Sequence, residues 1–133
     1  MLDDNYCLDS SIVIDWLRED RELAIKIQEA QDKGRIFITV ITLCELYKGA
    51  YLSNRAEKEL QIIEDLAESI EVLDFSKGVC EEFGKEFARL TKIGRKTQES
   101  DLMIASIAES NGLVVVTRNK KHFENIDIKL EVW

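Results

Sequence analysis

The stretch that decides the fold runs from Thr97 to Phe123, TQESDLMIASIAESNGLVVVTRNKKHF. Its first half, Ser100-Asp101-Leu102-Met103-Ile104-Ala105, reads as a helix opened by an acid, because a carboxylate in the first turn complements the positive end of the helix. It leads through Asn111-Gly112 into Leu113 to Val116, an unbroken apolar run that is mostly β-branched. Such a run suits a strand buried on both faces, as in a parallel sheet covered by helices. The strand stops at Thr117-Arg118-Asn119. In open α/β sheets the functional crevice lies beyond the carboxyl ends of the strands, so these three residues and Asp101 are expected on one rim.

The same grammar recurs upstream. Tyr6-Cys7-Leu8 ends at Asp9, and after Ser10-Ser11 the residues Ile12, Val13, Trp16 and Leu17 fall at helical spacing, giving strand, sharp turn, helix. Asp20 caps a second helical segment with Leu23, Ala24, Ile27 and Ala30 on one face, ended by Gly34. Residues 36–40 form a second buried strand, and Thr42-Leu43-Cys44-Glu45 opens the next helix at once. A helix is expected from Ser53 to about Glu68, a short strand over residues 70–73, and a helix capped by Ser76 with Val79, Phe83, Phe87 and Leu90 on one stripe. A last strand is expected over residues 126–130, with Trp133 packed over its end. Strands alternating with helices predict an α/β fold, a mainly parallel sheet of four to five strands, in one domain spanning residues 1–133.

Composition narrows the class. With 133 residues, 45% hydrophobic and 33% charged, the chain can bury roughly 65–70% of its unfolded surface and needs no disulfide or structural metal to fold. The start, Met-Leu-Asp-Asp-Asn, has neither a basic region nor an apolar core, so a secretory signal is not expected and a cytoplasmic location is. Cys7, Cys44 and Cys80 are far apart and flanked by apolar residues, which predicts buried free thiols. The net charge of −8 opposes non-specific attraction to nucleic acid, so any polyanion must be met by local cations or metal. Lys85, Arg89, Lys92, Arg95 and Lys96 supply one basic strip, and Arg118, Lys120, Lys121 and His122 a second. Solvated helix and loop surfaces explain any one of these cations, taken alone, better than a binding role does.

Asp9 follows strand one, Glu45 opens the helix after strand two, and Asp101 opens the helix before strand four, with Asn119 just past that strand. A parallel sheet would bring all four to one rim, a nest of oxygen ligands suited to Mg²⁺ or Mn²⁺. Such an ion activates water and neutralises charge developing on phosphate. With His122 as the only histidine, a histidine-pair mechanism for RNA cleavage is excluded. Each acid also has a structural explanation: Asp9 as a helix cap, Thr42-x-x-Glu45 as a capping box, Asp101 at a helix N-terminus.

The Leu8-Asp9-Ser10-Ser11 turn, the 42–50 helix start, the 101–105 helix and the 116–123 ending together resemble a PIN domain, and among PIN domains the VapC toxins of VapBC toxin-antitoxin systems. The resemblance covers essentially the whole chain and rests on the ordered set of four motifs. It implies an α/β/α sandwich and a Mg²⁺- or Mn²⁺-dependent ribonuclease that hydrolyses phosphodiester bonds. Asp9, Glu45 and Asp101 match the acidic ligands and Asn119 the fourth position, where Asp is frequent. Ser11 stands where many members have Asn. On this reading Ser10, Ser11 and Thr117 orient the carboxylates, and Arg118, Lys92, Arg95 and Lys96 contact RNA phosphates. The resemblance further implies a homodimer, and a VapB-type antitoxin that joins it in a heterotetramer or larger assembly. Three other readings stay open: a PIN nuclease of RNA processing, a degenerate PIN scaffold, and a receiver-type phosphoacceptor suggested by Asp74 and Thr117.

Overall fold

The structure is a computed structural model that describes residues 5–133; the stretch on which the absence of a secretory signal was read lies mostly outside them. Five strands, β1 (Tyr6–Leu8), β2 (Ile36–Thr39), β3 (Glu71–Leu73), β4 (Val114–Thr117) and β5 (Leu130–Val132), form one sheet in the order β3-β2-β1-β4-β5. Every neighbouring pair is parallel. The described residues also form six α-helices: α1 (Ser10–Leu17), α2 (Arg21–Lys33), α3 (Val40–Leu52), α4 (Ala56–Ser69), α5 (Lys77–Lys92) and α6 (Glu99–Ser110). Among the described residues, no helix is long and apolar enough to cross a membrane.

The period of two along the strands sorts side chains to two cores. Tyr6, Leu8, Ile36, Ile38 and Val116 join residues of α1, α2, α3 and α4 on one face. Cys7, Phe37 and Val115 join Leu90 of α5 and Leu102, Ile104, Ala105 and Ala108 of α6 on the other. The fold is thus the expected three-layer sandwich, with strands apolar on both faces because both are covered. From β1 the chain winds outward through β2 to β3, then returns to β4 and β5 on the opposite side. The switch point lies between β1 and β4, where ligands bind in such sheets.

Several boundaries differ from the sequence reading. Helix α3 begins at Val40, and its cap is Thr39, whose hydroxyl accepts from the Thr42 amide at 3.2 Å. The capping box expected from Thr42 and Glu45 is therefore absent, and Glu45 sits in the second turn. A β-branched run continuing into a helix hides the boundary, since Val40 and Ile41 suit either state. Helix α4 starts at Ala56, because Ser53 instead ends α3. The last strand begins at Leu130; Ile126 and Ile128 keep their apolar spacing but pack into the second core from a turn that follows Phe123. Trp133 leans on Tyr6, with ring centroids 5.5 Å apart. All three cysteines are free, but only Cys7 is buried; Cys44 and Cys80 lie on exposed helix faces. Burial, with Asp9 adding to it, pushes the Cys7 thiol up to about 12, so it is inert.

Candidate active site

Asp9 leaves β1 at the switch point and is 4% exposed. Its Oδ1 accepts from the Ser10 amide at 2.7 Å, capping α1 as the structural reading expected. Its Oδ2 accepts from the Thr117 hydroxyl at 2.8 Å and the Ser11 hydroxyl at 3.0 Å. The backbone repeats the link, since the Asp9 amide donates to the Val116 carbonyl at 2.9 Å. Capping and site geometry are compatible: one carboxylate oxygen serves the helix and the other faces the end of β4.

Glu45, carried by α3, accepts a 2.7 Å hydrogen bond from the Ser10 hydroxyl on Oε1. Ser10 therefore joins the Asp9 turn to Glu45, 35 residues away in sequence. Asp101 lies in the first turn of α6, whose N-terminus returns to the same rim because the helix runs antiparallel to the strands. It is 6% exposed, and its Oδ2 is buried with no hydrogen-bond partner. The imidazole of His122 stands close by, its Nδ1 3.6 Å from that oxygen. Burial raises the Asp101 carboxyl to about 6; His122 opposes the shift, and the charges of Asp9 and Glu45 add to it.

Among the described residues, no three or more His, Cys, Asp or Glu side chains are grouped so as to hold a metal ion by themselves. The donors still suit a hard divalent cation, which is commonly held by one or two carboxylates and completes its shell with water and substrate phosphate. A buried carboxylate oxygen with no donor, repelled by two further acids, is the arrangement that such a cation relieves.

The remaining expected residues divide. Thr117 is fully buried, and its hydroxyl accepts from the Asn119 amide at 2.9 Å. Asn119 is exposed at the rim, its side chain making no cap bond to the 3₁₀ turn Lys120–His122. Lys92, Arg95 and Lys96 are exposed at the end of α5 and in the loop to α6, which Asn125 ties down through the Lys96 carbonyl at 2.9 Å. None of the three has a carboxylate partner among the described residues, whereas Lys85 and Arg89 are bridged to Glu81, Glu82 and Glu86. Arg118 differs from the expectation of a phosphate contact: its guanidinium lies 3.3 Å from Asp15 and 2.9 Å from Asp20. Sequence reasoning missed these two partners and the approach of His122 to Asp101; the lone histidine three residues past Asn119 was the only available signal for the latter.

The model of the PIN domain family matches residues 6–129. The chain is 36% identical over 129 residues to Ribonuclease VapC2 of Haemophilus influenzae, covering 96% of this chain and 97% of that protein. It is 31% identical over 134 residues to the tRNA(fMet)-specific endonuclease VapC of Shigella flexneri, covering 100% and 96%. Among solved structures it is similar to a chain of the DNA-bound VapBC of Salmonella typhimurium, with a TM-score of 0.87, 35% identity and coverage of 100% and 99%. A chain of VapBC2 from Rickettsia felis, bound to a fragment of promoter DNA, gives a TM-score of 0.90 at 26% identity, covering 97% and 98%. The chain belongs to the PIN domain family and, within it, to the VapC ribonuclease toxins of VapBC toxin-antitoxin systems.

Proposed function

We propose that this ribonuclease depends on Mg²⁺ or Mn²⁺ held at the rim by Asp9 and Asp101, with Glu45 binding the ion or orienting the attacking water. The observation that carries this reading is the buried Asp101 Oδ2, which lacks a hydrogen-bond donor while facing the charges of Asp9 and Glu45. When bound, the ion would supply an activated water and neutralise charge developing on the scissile phosphate. The chain's own residues set the geometry. Thr117 and Ser11 fix the Asp9 carboxylate, Ser10 fixes Glu45, and Asn119 offers a neutral oxygen at the open side. With Asn rather than Asp there, the ligand set carries one charge fewer, which favours a single ion.

Lys92, Arg95 and Lys96, lacking carboxylate partners, would receive RNA phosphates beside Asp101, where their field outweighs the overall negative charge at short range. The natural partner is a VapB-type antitoxin. A groove of about 740 Å³ runs from Glu45 between α1, α3 and α4, with Ile14, Leu17 and Ile62 beside Arg18, Arg55 and Lys58, and suits an amphipathic segment. Tyr51 and Leu52, 69% and 81% exposed at the end of α3, supply an apolar surface for a second copy in a homodimer.

Calorimetric titration of the purified protein with MnCl₂ tests the metal reading. Wild type is expected to bind the ion, Asp101→Asn to bind at least tenfold more weakly, and MgCl₂ to compete. Equal binding by both proteins would move the ion elsewhere, and none by wild type would overturn the metal reading.

A further inference from the structure

Among the described residues, Arg118 is the one member of the expected phosphate-binding set whose charge is already engaged. Its Nε lies 3.3 Å from Asp15 Oδ2 on α1, and its Nη2 lies 2.9 Å from Asp20 Oδ2 at the cap of α2. One cation between two carboxylates leaves the locality negative, and both acids are about as exposed as the guanidinium, at 35% and 32% against 33%. A phosphate approaching Arg118 would meet that negative charge first.

The backbone on which Arg118 stands points the other way, into the site. The Arg118 amide donates to the Ser11 hydroxyl at 3.2 Å, and that hydroxyl donates to Asp9 Oδ2. On either side of it, Thr117 donates to the same Asp9 oxygen and Asn119 donates to the Thr117 hydroxyl. The anchor is firm. The Asp20 amide donates to the Asp15 carbonyl at 3.2 Å across the α1 to α2 corner, and Asp20 Oδ1 caps α2 through the Leu23 amide at 3.0 Å.

We propose that Arg118 is a positioning residue: the pair of acids Asp15 and Asp20 clamps its side chain to the α1 to α2 corner, so that the 117–119 turn holds the Asp9 carboxylate and Asn119 in register. The inference deepens the ribonuclease reading and rests on it, since the turn it holds matters through Asp9 and Asn119. The clamp contacts neither RNA nor the reacting atoms; it acts through the hydroxyls of Ser11 and Thr117. Groups hydrogen-bonded to metal-site carboxylates are worth about 10- to 100-fold in activity or metal affinity when removed, and the clamp acts on two of them, Ser11 and Thr117.

The test compares kcat and KM for RNA cleavage in MnCl₂ by wild type, Arg118→Ala, Arg118→Lys and the double variant Asp15→Asn/Asp20→Asn. Asparagine retains the α2 cap at position 20, so the double variant stays informative if Arg118→Ala fails to fold. Arg118→Ala and the double variant are each expected to lose about 10- to 100-fold in kcat, with KM and the salt dependence of RNA binding unchanged. Arg118→Lys, which cannot bridge both acids in a fork, falls between. The proposal is overturned if the double variant, which frees the arginine, keeps full kcat, or if Arg118→Ala raises KM and lowers the salt slope by about one phosphate contact. If wild type itself cleaves no RNA, the failure belongs to the ribonuclease reading. The clamp is then decided by amide hydrogen exchange in the double variant: faster exchange at Arg118 and Asn119 supports it, and unchanged exchange refutes it.

Discussion

Asp101 shows how much one side chain carries. Burial raises its carboxyl from 3.8 to about 6, with His122 opposing and Asp9 and Glu45 adding to the rise. In the folded protein the group therefore keeps a proton that the unfolded chain has already lost. Its contribution to stability falls as pH rises from 3.8, and the deficit is complete above about 6. Asp101→Asn removes the charge, so without metal the variant should be more stable than wild type at pH 7.5, by up to about 3 kcal/mol, and no more stable at pH 3.5. Urea unfolding at the two pH values checks this; a stability difference independent of pH would contradict it. The rim positions of Asp9 and Asp101 were legible in the sequence because one follows an apolar strand directly and the other opens the helix before one. The approach of His122 was not legible, since it depends on the 3₁₀ turn that follows Asn119. Nor was the engagement of Arg118, whose partners lie on α1 and at the start of α2.

Elements were legible where chemistry punctuates them and blurred where it does not. The end of α6 is marked by Gly112 at φ 67°, with its amide donating to the Glu109 carbonyl and the Leu113 amide to the Ala108 carbonyl, the paired bonds of a Schellman motif. Leu113 and Ala108 then meet in the second core, so the cap also aims the chain into β4. An added Cβ at Gly112 would meet nothing within 4 Å, which leaves backbone strain as the whole cost of a side chain there. Gly112→Ala should therefore lower stability by about 1 kcal/mol without changing helix content. A denaturant midpoint beside a circular dichroism spectrum measures both, and an unchanged midpoint would remove the left-handed cap from the account. By contrast, the start of α3 carries no such mark: Thr39 is at once the last strand residue and the helix cap. The last strand was misplaced because Ile126 and Ile128 alternate like a strand while serving a buried turn.

For the whole molecule, the alternation of apolar runs with amphipathic helices was enough to read a covered parallel sheet. The strand order was not, since it depends on which edge the chain returns to after β3. That return puts β4 beside β1 and so brings together residues 108 positions apart, Asp9 and Thr117. The sheet thereby gathers acid at the switch point, while the end of α5 and the loop to α6 expose cations a few residues before Asp101 in a chain of net charge −8. The carboxylates on this rim are proposed to drive metal-dependent RNA hydrolysis. The most direct test is cleavage of a panel of purified structured RNAs by wild type and by folded Asp101→Asn, each in MgCl₂, in MnCl₂ and in EDTA. Wild type is expected to cleave at discrete positions with either ion and not in EDTA, and the variant to lose at least about a hundredfold in rate. Cleavage that persists in EDTA, or that Asp101→Asn retains in full, would contradict that proposal.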